Sequence, residues 1–153
     1  CHRVISFNEK NYNLKVPDNY KFNKDDQQIL DTYTSNIENL INSIDNQNIN
    51  YYVNFIQEQL FAANKYFNDQ EPWKKKSDLV RLNTIVYVSL ETIRKISIML
   101  YPIIPDSSLK VLDVFGLNAN NIKFESIKNH EELIINNKIK KIEILFKKIE
   151  NND

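Results

Sequence analysis

The sequence predicts an all-α protein: an elongated bundle of helices in one domain that spans residues 1–153. Two observations carry this prediction, namely a single glycine in 153 residues and apolar residues at helical spacing over three long segments. Sandwiches, barrels and dinucleotide-binding folds need many tight turns, which one glycine cannot supply. The one cysteine rules out an internal disulfide, and no apolar run approaches the roughly 18 residues of a membrane-spanning helix.

The first two predicted helices are a short one and a long one. Residues 4–12 look like the end of an amphipathic helix whose start is missing. A long helix is expected over 25–45, because Asn23 is a good N-cap and Asp25 and Asp26 suit the positive end of the helix dipole. Its apolar stripe has 3.6-residue spacing and consists of Ile29, Leu30, Tyr33, Ile37, Leu40, Ile41 and Ile44.

Two further long helices follow. The segment 48–67 repeats the helical pattern, and Ser77 is the expected N-cap of a third long helix that Pro102 stops. The stripe of the earlier of these helices consists of Ile49, Tyr52, Val53, Ile56, Leu60, Ala63 and Phe67. That of the later one consists of Leu82, Ile85, Val86, Ser89, Ile93, Ile96 and Leu100.

The last third of the chain predicts one short helix and a tail. Asp106 or Ser107 is expected to cap the short helix, and Gly116 lies where a left-handed C-terminal cap is needed. Residues 131–153 are expected to pack back on the bundle as a tail that is either helical or extended. A helix is suggested by the stripe of Ile135, Ile139, Ile142, Phe146 and Ile149. An extended chain is suggested by Asn136-Asn137 and by alternating Ile and Lys.

Charge and side-chain chemistry exclude several classes of function. The chain has 20 basic and 20 acidic residues, so any contact with nucleic acid must come from a local cluster. Neither His2 nor His130 has metal-ligand spacing with Cys1 or with a pair of carboxylates. One glycine also cannot build a phosphate-binding loop. No catalytic residue, no metal site and no cofactor is therefore predicted within this sequence.

The most informative segment is the junction between the second and third long helices. Pro72 ends a helix, the only tryptophan, Trp73, follows at once, and three lysines lead to the next helix. An exposed indole beside positive charge can stack on an unpaired base while the lysines neutralise phosphates. The alternative is that Trp73 closes the end of the bundle and the lysines are merely solvated.

Five short motifs resemble, in order and spacing, those of the anticodon-binding domain of methionyl-tRNA synthetases, a class I aminoacyl-tRNA synthetase family. His2-Arg3-Val4-Ile5-Ser6-Phe7 looks like the end of the family's Asn-Leu-x-x-Arg helix. Ala63-Asn64-Lys65-Tyr66, Pro72-Trp73 and Lys76 resemble its Ala-Asn-x-Tyr, Pro-Trp and Lys signature. Leu100-Tyr101-Pro102-Ile103-Ile104-Pro105 resembles its Leu-x-Pro-Phe-x-Pro break, Gly116-Leu117 its Gly-Leu ending, and Leu145-Phe146-Lys147-Lys148-Ile149-Glu150 its Leu-Phe-Pro-Arg-Ile-Glu terminus.

The resemblance implies a domain that reads the CAU anticodon of methionine tRNAs. Trp73 would stack on the first anticodon base, and Arg3 would contact the anticodon backbone or bases. Asn64 faces the same corner but could equally form an internal hydrogen bond, and the family's reading Asn would precede Cys1. The candidate tRNA-binding residues are Arg3, Asn64, Pro72, Trp73, Lys74 and Lys75.

The resemblance also implies a larger parent enzyme, of which this sequence, beginning with Cys1, is expected to be a fragment. The parent would attach methionine to tRNA with ATP and Mg²⁺, whereas the fragment alone is not expected to form aminoacyl-adenylate. Its expected partners are methionine tRNA and the parent's own catalytic domain, with no membrane and no DNA. The expected location is the cytoplasm, with an organelle left open.

Two features leave room for another interpretation. The family's terminal segment often has prolines where this chain has Ile142, Ile144 and Lys147, and their loss makes a terminal helix possible. In addition, the apolar tail from Ile134 to Ile149 and the zero net charge suit a helical docking domain without RNA specificity. Anticodon preference and salt dependence of RNA binding separate this alternative from anticodon recognition.

Overall fold

The computed structural model describes residues 1–146, and over that range it confirms the all-α prediction. Five α-helices follow one another along the chain: α1 (His2–Tyr12), α2 (Lys24–Asp45), α3 (Ile49–Gln70), α4 (Leu79–Leu100) and α5 (Pro105–Val114). Two short 3₁₀ helices, Pro72–Lys74 and Phe124–Lys128, complete the regular structure. None of the helices in this part of the chain is both long and apolar enough to cross a membrane.

Helices α2 and α3 form a hairpin whose ends match the sequence signals. Asn23 and Asp26 form a capping box, in which the Asp26 amide donates to Asn23 Oδ1 at 3.0 Å and the Asn23 amide donates to Asp26 Oδ2 at 2.8 Å. The predicted cap at Asn23 is therefore confirmed. Asn48 caps α3 by accepting from the Tyr51 amide. The short turn between the helices makes them antiparallel neighbours.

Two predicted helix starts were wrong. Asp78, not Ser77, caps α4, since its carboxylate accepts from the Arg81 amide at 3.0 Å after a turn that delays the helix by one residue. Helix α5 begins at Pro105, before the predicted caps Asp106 and Ser107. Proline suits the first helical position because its φ is already helical and its missing N–H would have no partner there.

The end of α5 confirms the predicted role of the single glycine. Gly116 has φ +75°, a left-handed conformation that glycine adopts without a steric cost. Its amide donates to Asp113 O and the Leu117 amide donates to Leu112 O, both at 3.0 Å. These two bonds form a Schellman motif, which satisfies carbonyls that the helix leaves free.

Helix α4 is the centre of the bundle and is buried on nearly all sides. It contacts every other α-helix, and it carries the buried charged residues Glu91, Arg94 and Lys95. The hydroxyl of Tyr52, in the first turn of α3, donates to Met99 O at 2.7 Å, so α4 ends level with the start of α3. The tip of the α2–α3 hairpin extends beyond α4. For this reason the stripe residues Ile41, Ile44 and Ile49, expected to be buried, are exposed; Leu60 is exposed too, beside a groove.

The tail is not helical over 131–146: it is an irregular chain with a turn at Ile135 and Asn136, and it packs back on the segment after α1. Val16 exchanges backbone hydrogen bonds with Asn136 and Asn137, both at 2.9 Å, and the Ile139 amide donates to Leu14 O at 2.7 Å. Leu133 and Ile139 are buried in the core, whereas the predicted stripe residue Ile135 is half exposed. The stripe residue Ile149 and the motif residues 147–150 lie outside the described residues.

Candidate nucleic-acid interface

The corner between α3 and α4, residues 71–78, is short and held by its own backbone. Glu71 leaves α3 in a left-handed conformation at φ +45°, and the buried Pro72 starts the 3₁₀ helix. The Lys75 amide donates to Pro72 O at 3.1 Å and the Asp78 amide to Lys75 O at 2.9 Å. These bonds fix the position from which Trp73 projects.

Trp73 is neither buried in the bundle nor free of it. Its side chain is 40% exposed. One edge meets the ring of Phe67, with centroids 6.2 Å apart and planes at 65°. Phe67 is itself fixed by an edge contact with Phe7 of α1, at 5.8 Å. The indole is thus anchored on one side by buried aromatic rings and open to solvent on another.

Arg3, in the first turn of α1, reaches the same place. Its guanidinium carbon lies 5.2 Å from the ring centroids of both Phe67 and Trp73. Its Nη1 donates to Asn68 Oδ1 at 2.5 Å. Within residues 1–146 Arg3 has no carboxylate partner, so its charge is balanced by aromatic faces and one amide.

The structure therefore brings Arg3 and Trp73 into contact, and Asn64 lies close by. Asn64 is exposed on α3, one turn before Asn68, and it lines the same groove wall as Arg3. Its side chain has no hydrogen-bond partner in the described part of the chain. The internal hydrogen bond that the sequence left open is thus not formed there. Its amide is available to a ligand.

The lysines of the corner differ in how far their charge is neutralised. Lys74 forms an ion pair with Glu71 at 2.7 Å, whereas Lys75 and Lys76 have no acidic partner among residues 1–146. Positive charge near Trp73 therefore comes mainly from Lys75, Lys76 and Arg3.

A buried polar network lies behind the corner. The Asp26 carboxylate is fully buried and accepts from Arg81 Nη1 at 2.6 Å, Arg81 Nη2 at 3.0 Å and Tyr66 Oη at 2.5 Å. Burial, reinforced by the hydrogen bond to Asp26, raises the pKa of the Tyr66 phenol well above its usual value. Arg81 Nη2 also donates to Gln70 Oε1 at 2.7 Å.

Sequence reasoning missed three contributors to this site. The sequence pattern predicts only a core position for Phe67, gives no reason to select Asn68, and indicates for Asp26 only a favourable charge in the first turn of a helix. The spacing of Asn64 and Asn68 was a usable signal, because residues four apart share a helix face. The hydrogen bond between Arg3 and Asn68 joins residues that are 65 positions apart, so no local sequence pattern predicts it.

Comparison with known proteins identifies the family to which the chain belongs. The family model described as "Anticodon binding domain of methionyl tRNA ligase" matches residues 16–153. The methionine–tRNA ligase of Brucella suis biovar 1 (strain 1330) is 34% identical over 128 residues, which are 83% of this chain and 25% of that protein. That of Pyrococcus horikoshii is 31% identical over 149 residues, which are 97% of this chain and 20% of that protein.

A solved structure extends the match to the three-dimensional fold. The apo form of Mycobacterium tuberculosis methionyl-tRNA synthetase superposes with a TM-score of 0.88 at 27% identity, covering 97% of this chain and 30% of that one. The helical bundle with its aromatic and basic corner is thus an anticodon-binding domain of the aminoacyl-tRNA synthetases. Within that class, the chain belongs to the methionyl-tRNA ligase family. It spans about a quarter of the length of the curated relatives it matches.

Proposed function

We propose that this chain binds the CAU anticodon of methionine tRNAs and so selects the tRNA to which its parent enzyme attaches methionine. The observation that carries the proposal is the half-exposed Trp73, held on a short corner beside Arg3 and two lysines that have no acidic partner among residues 1–146. An anticodon loop presents unpaired bases, and an aromatic side chain at a fixed position stacks on such a base.

Each group at the corner has a distinct task in this proposal. Trp73 stacks on the first anticodon base. One N–H group of Arg3 already donates to Asn68, and its other N–H groups donate to a base edge or to the RNA backbone. Lys75 and Lys76 lie within two and three residues of Trp73 and neutralise phosphates of the loop. Asn64 offers its free amide to a base edge.

The ligation itself belongs to the rest of the parent. The residues described here, 1–146, contain no group of three or more His, Cys, Asp or Glu side chains that could hold a metal ion. The single glycine also cannot build a phosphate-binding loop. The donor set does not fit ATP with Mg²⁺, so the proposal assigns both to the parent's catalytic domain and assigns tRNA selection to this chain.

Titration with stem-loop RNA tests the proposal. A labelled stem-loop with a CAU anticodon should bind more tightly than loops of the same length in which one of the three bases is changed. Binding should also weaken as salt rises, because phosphate contacts release counterions. Equal affinity for all loops would refute anticodon reading by this chain.

A second candidate function, docking of a protein helix without RNA specificity, has one observation in its favour. An apolar groove of about 760 Å³ runs between α1, α3, α4 and α5, and Phe61 on its rim is 76% exposed. The hydroxyls of Thr92 and Ser108, both buried and lining this groove, have no hydrogen-bond partner in the described residues. If RNA binding showed neither anticodon preference nor salt dependence, this second function would be preferred.

A further inference from the structure

The buried carboxylate of Asp26 is bonded on every side. Besides the two bonds from Arg81 and the one from Tyr66, its Oδ2 accepts from the Asn23 amide at 2.8 Å. The side chain of Arg81 is only 16% exposed. This is a fully hydrogen-bonded ion pair that joins the first turn of α2 to the last turns of α3 and the first turn of α4.

The position of Arg81 connects the Asp26–Arg81 pair to both ends of the corner. Arg81 lies in the first turn of α4, and its Nη2 donates to Gln70, the last residue of α3, at 2.7 Å. Residues 71–78 therefore start and end beside the same guanidinium. Since Asp26 orients that guanidinium through two bonds, one buried carboxylate sets the separation and direction of the two helix ends that carry Trp73.

Two features of the corner need such support. Glu71 is a left-handed non-glycine residue, a conformation that persists only where the surrounding structure enforces it. Moreover, Tyr66 immediately precedes Phe67, whose ring contacts both Trp73 and Arg3. The network thus touches both the chain that carries Trp73 and the ring against which Trp73 rests.

A buried ion pair is a poor device for stability alone. The cost of desolvating two charges often exceeds their attraction, and apolar residues of similar volume frequently stabilise as well or better. What such a pair supplies is a defined geometry, because a bidentate arginine–carboxylate contact tolerates little rotation.

We propose that Asp26 and Arg81 are positioning residues for anticodon recognition, which hold the α3–α4 corner so that Trp73 meets its base at the correct height and angle. The inference rests on the proposed function of Trp73. The side chain of Asp26 is fully buried and out of reach of RNA, so it acts only through the corner.

The substitution Asp26→Asn tests this directly, because it keeps the shape of the side chain and removes its charge. Trp73 is the only tryptophan, so its fluorescence reports on the corner without RNA. In Asp26→Asn we expect redder emission, stronger quenching by acrylamide, and a dissociation constant for the CAU stem-loop raised about fivefold or more, as for partial loss of a stack.

Glu91→Gln is the matched control. Glu91 is also fully buried and also paired with an arginine, Arg94, at 2.5 Å, but it lies in the middle of α4. We expect it to lower the melting temperature while leaving Trp73 emission and RNA affinity within about twofold of the wild type. Equal effects of both variants on emission and affinity would mean that the Asp26 network is only structural, and would overturn the proposal.

A milder variant covers the case in which Asp26→Asn does not fold. Gln70→Ala removes only the bond from Arg81 to the end of α3, at a half-buried site. It should shift emission and affinity in the same direction, and wild-type values for both would contradict the proposal. If wild-type protein bound no RNA, the proposed function would fail, whereas the fluorescence comparison would still decide whether Asp26 positions Trp73.

Discussion

Replacing Trp73 by alanine should weaken binding of the CAU stem-loop by a calculable amount. The side chain is 40% exposed. A tryptophan presents at most about 250 Å², so about 100 Å² is open to a base. Covering that area is worth at most about 2.5 kcal/mol at about 25 cal/mol per Å². Measured base stacks span about 1–3 kcal/mol, so we expect about 2 kcal/mol, a rise in dissociation constant of about 30-fold.

Fluorescence anisotropy of a labelled stem-loop measures this loss, and circular dichroism shows whether the variant is folded. Tyr51→Ala is the matched control, since Tyr51 is an aromatic residue that is 39% exposed. It lies near the start of α3, whereas Trp73 follows the end of that helix, and 22 residues of helix separate two such sites by about 33 Å. The control should bind the stem-loop as the wild type does.

Two results would contradict a stacking role for Trp73. If folded Trp73→Ala bound the CAU stem-loop as tightly as the wild type, the exposed indole would not be the stacking platform. A loss of the same size in Tyr51→Ala would be equally damaging, because it would show that affinity follows the general loss of an exposed aromatic residue.

Three further predictions concern charge and the backbone. Replacing Lys75 and Lys76 by Gln should reduce the slope of log affinity against log salt by about 1.4, since each phosphate contact on a single strand contributes about 0.7. Lys74→Gln should change this slope less, because Glu71 already pairs with Lys74. Burial lowers the pKa of Lys95 from 10.5 to about 8. Between these two pH values the folded protein holds fewer protons on Lys95 than the unfolded chain does, so this residue's contribution to stability rises with pH. In urea titrations, the free energy of unfolding of the wild type minus that of Lys95→Met should increase by an amount on the order of 3 kcal/mol from pH 8 to 10.5. A difference that does not change with pH would contradict the lowered pKa of Lys95. Gly116→Ala places a Cβ where nothing lies within 4 Å, so its cost in stability is that of the left-handed backbone alone, about 1 kcal/mol. Calorimetry should show a melting temperature lower by about 2–4 °C. An unchanged melting temperature would show that the cap tolerates alanine.

The long helices could be predicted because their determinants are local. The periodic apolar residues of α2 and the reciprocal bonds of Asn23 and Asp26 lie within a few residues of one another, and the prediction of that helix was correct to within one residue at its start. Where two capping residues stand side by side, as at Ser77 and Asp78, only the path of the preceding turn selects one of them. The sequence contains both options.

The tail and the site depended on contacts between distant parts of the chain. The non-helical path of the tail is fixed by backbone bonds to Leu14 and Val16, which no pattern within the tail predicts. In the candidate site, too, local features differ from contacts between distant segments in how far they could be predicted. The sequence of the corner places Trp73 beside lysines, but it leaves open whether the indole is exposed or closes the end of the bundle. Its contact with Phe67 joins two residues of the same segment, whereas its contact with Arg3 follows from how α1 packs against the end of α3 and could not be read from any one segment.

The bonds between the tail and the segment after α1 have a consequence for how this protein is made. Leu14 and Val16 precede helices α2 to α5 in the chain, whereas their partners at 136–139 follow these helices. The backbone groups of Leu14 and Val16 must therefore remain hydrated throughout translation of the intervening helices. Contacts this distant along the chain are also the slowest to close. Helices can form as they emerge, but the bundle is completed only after residues 136–139 have been synthesised.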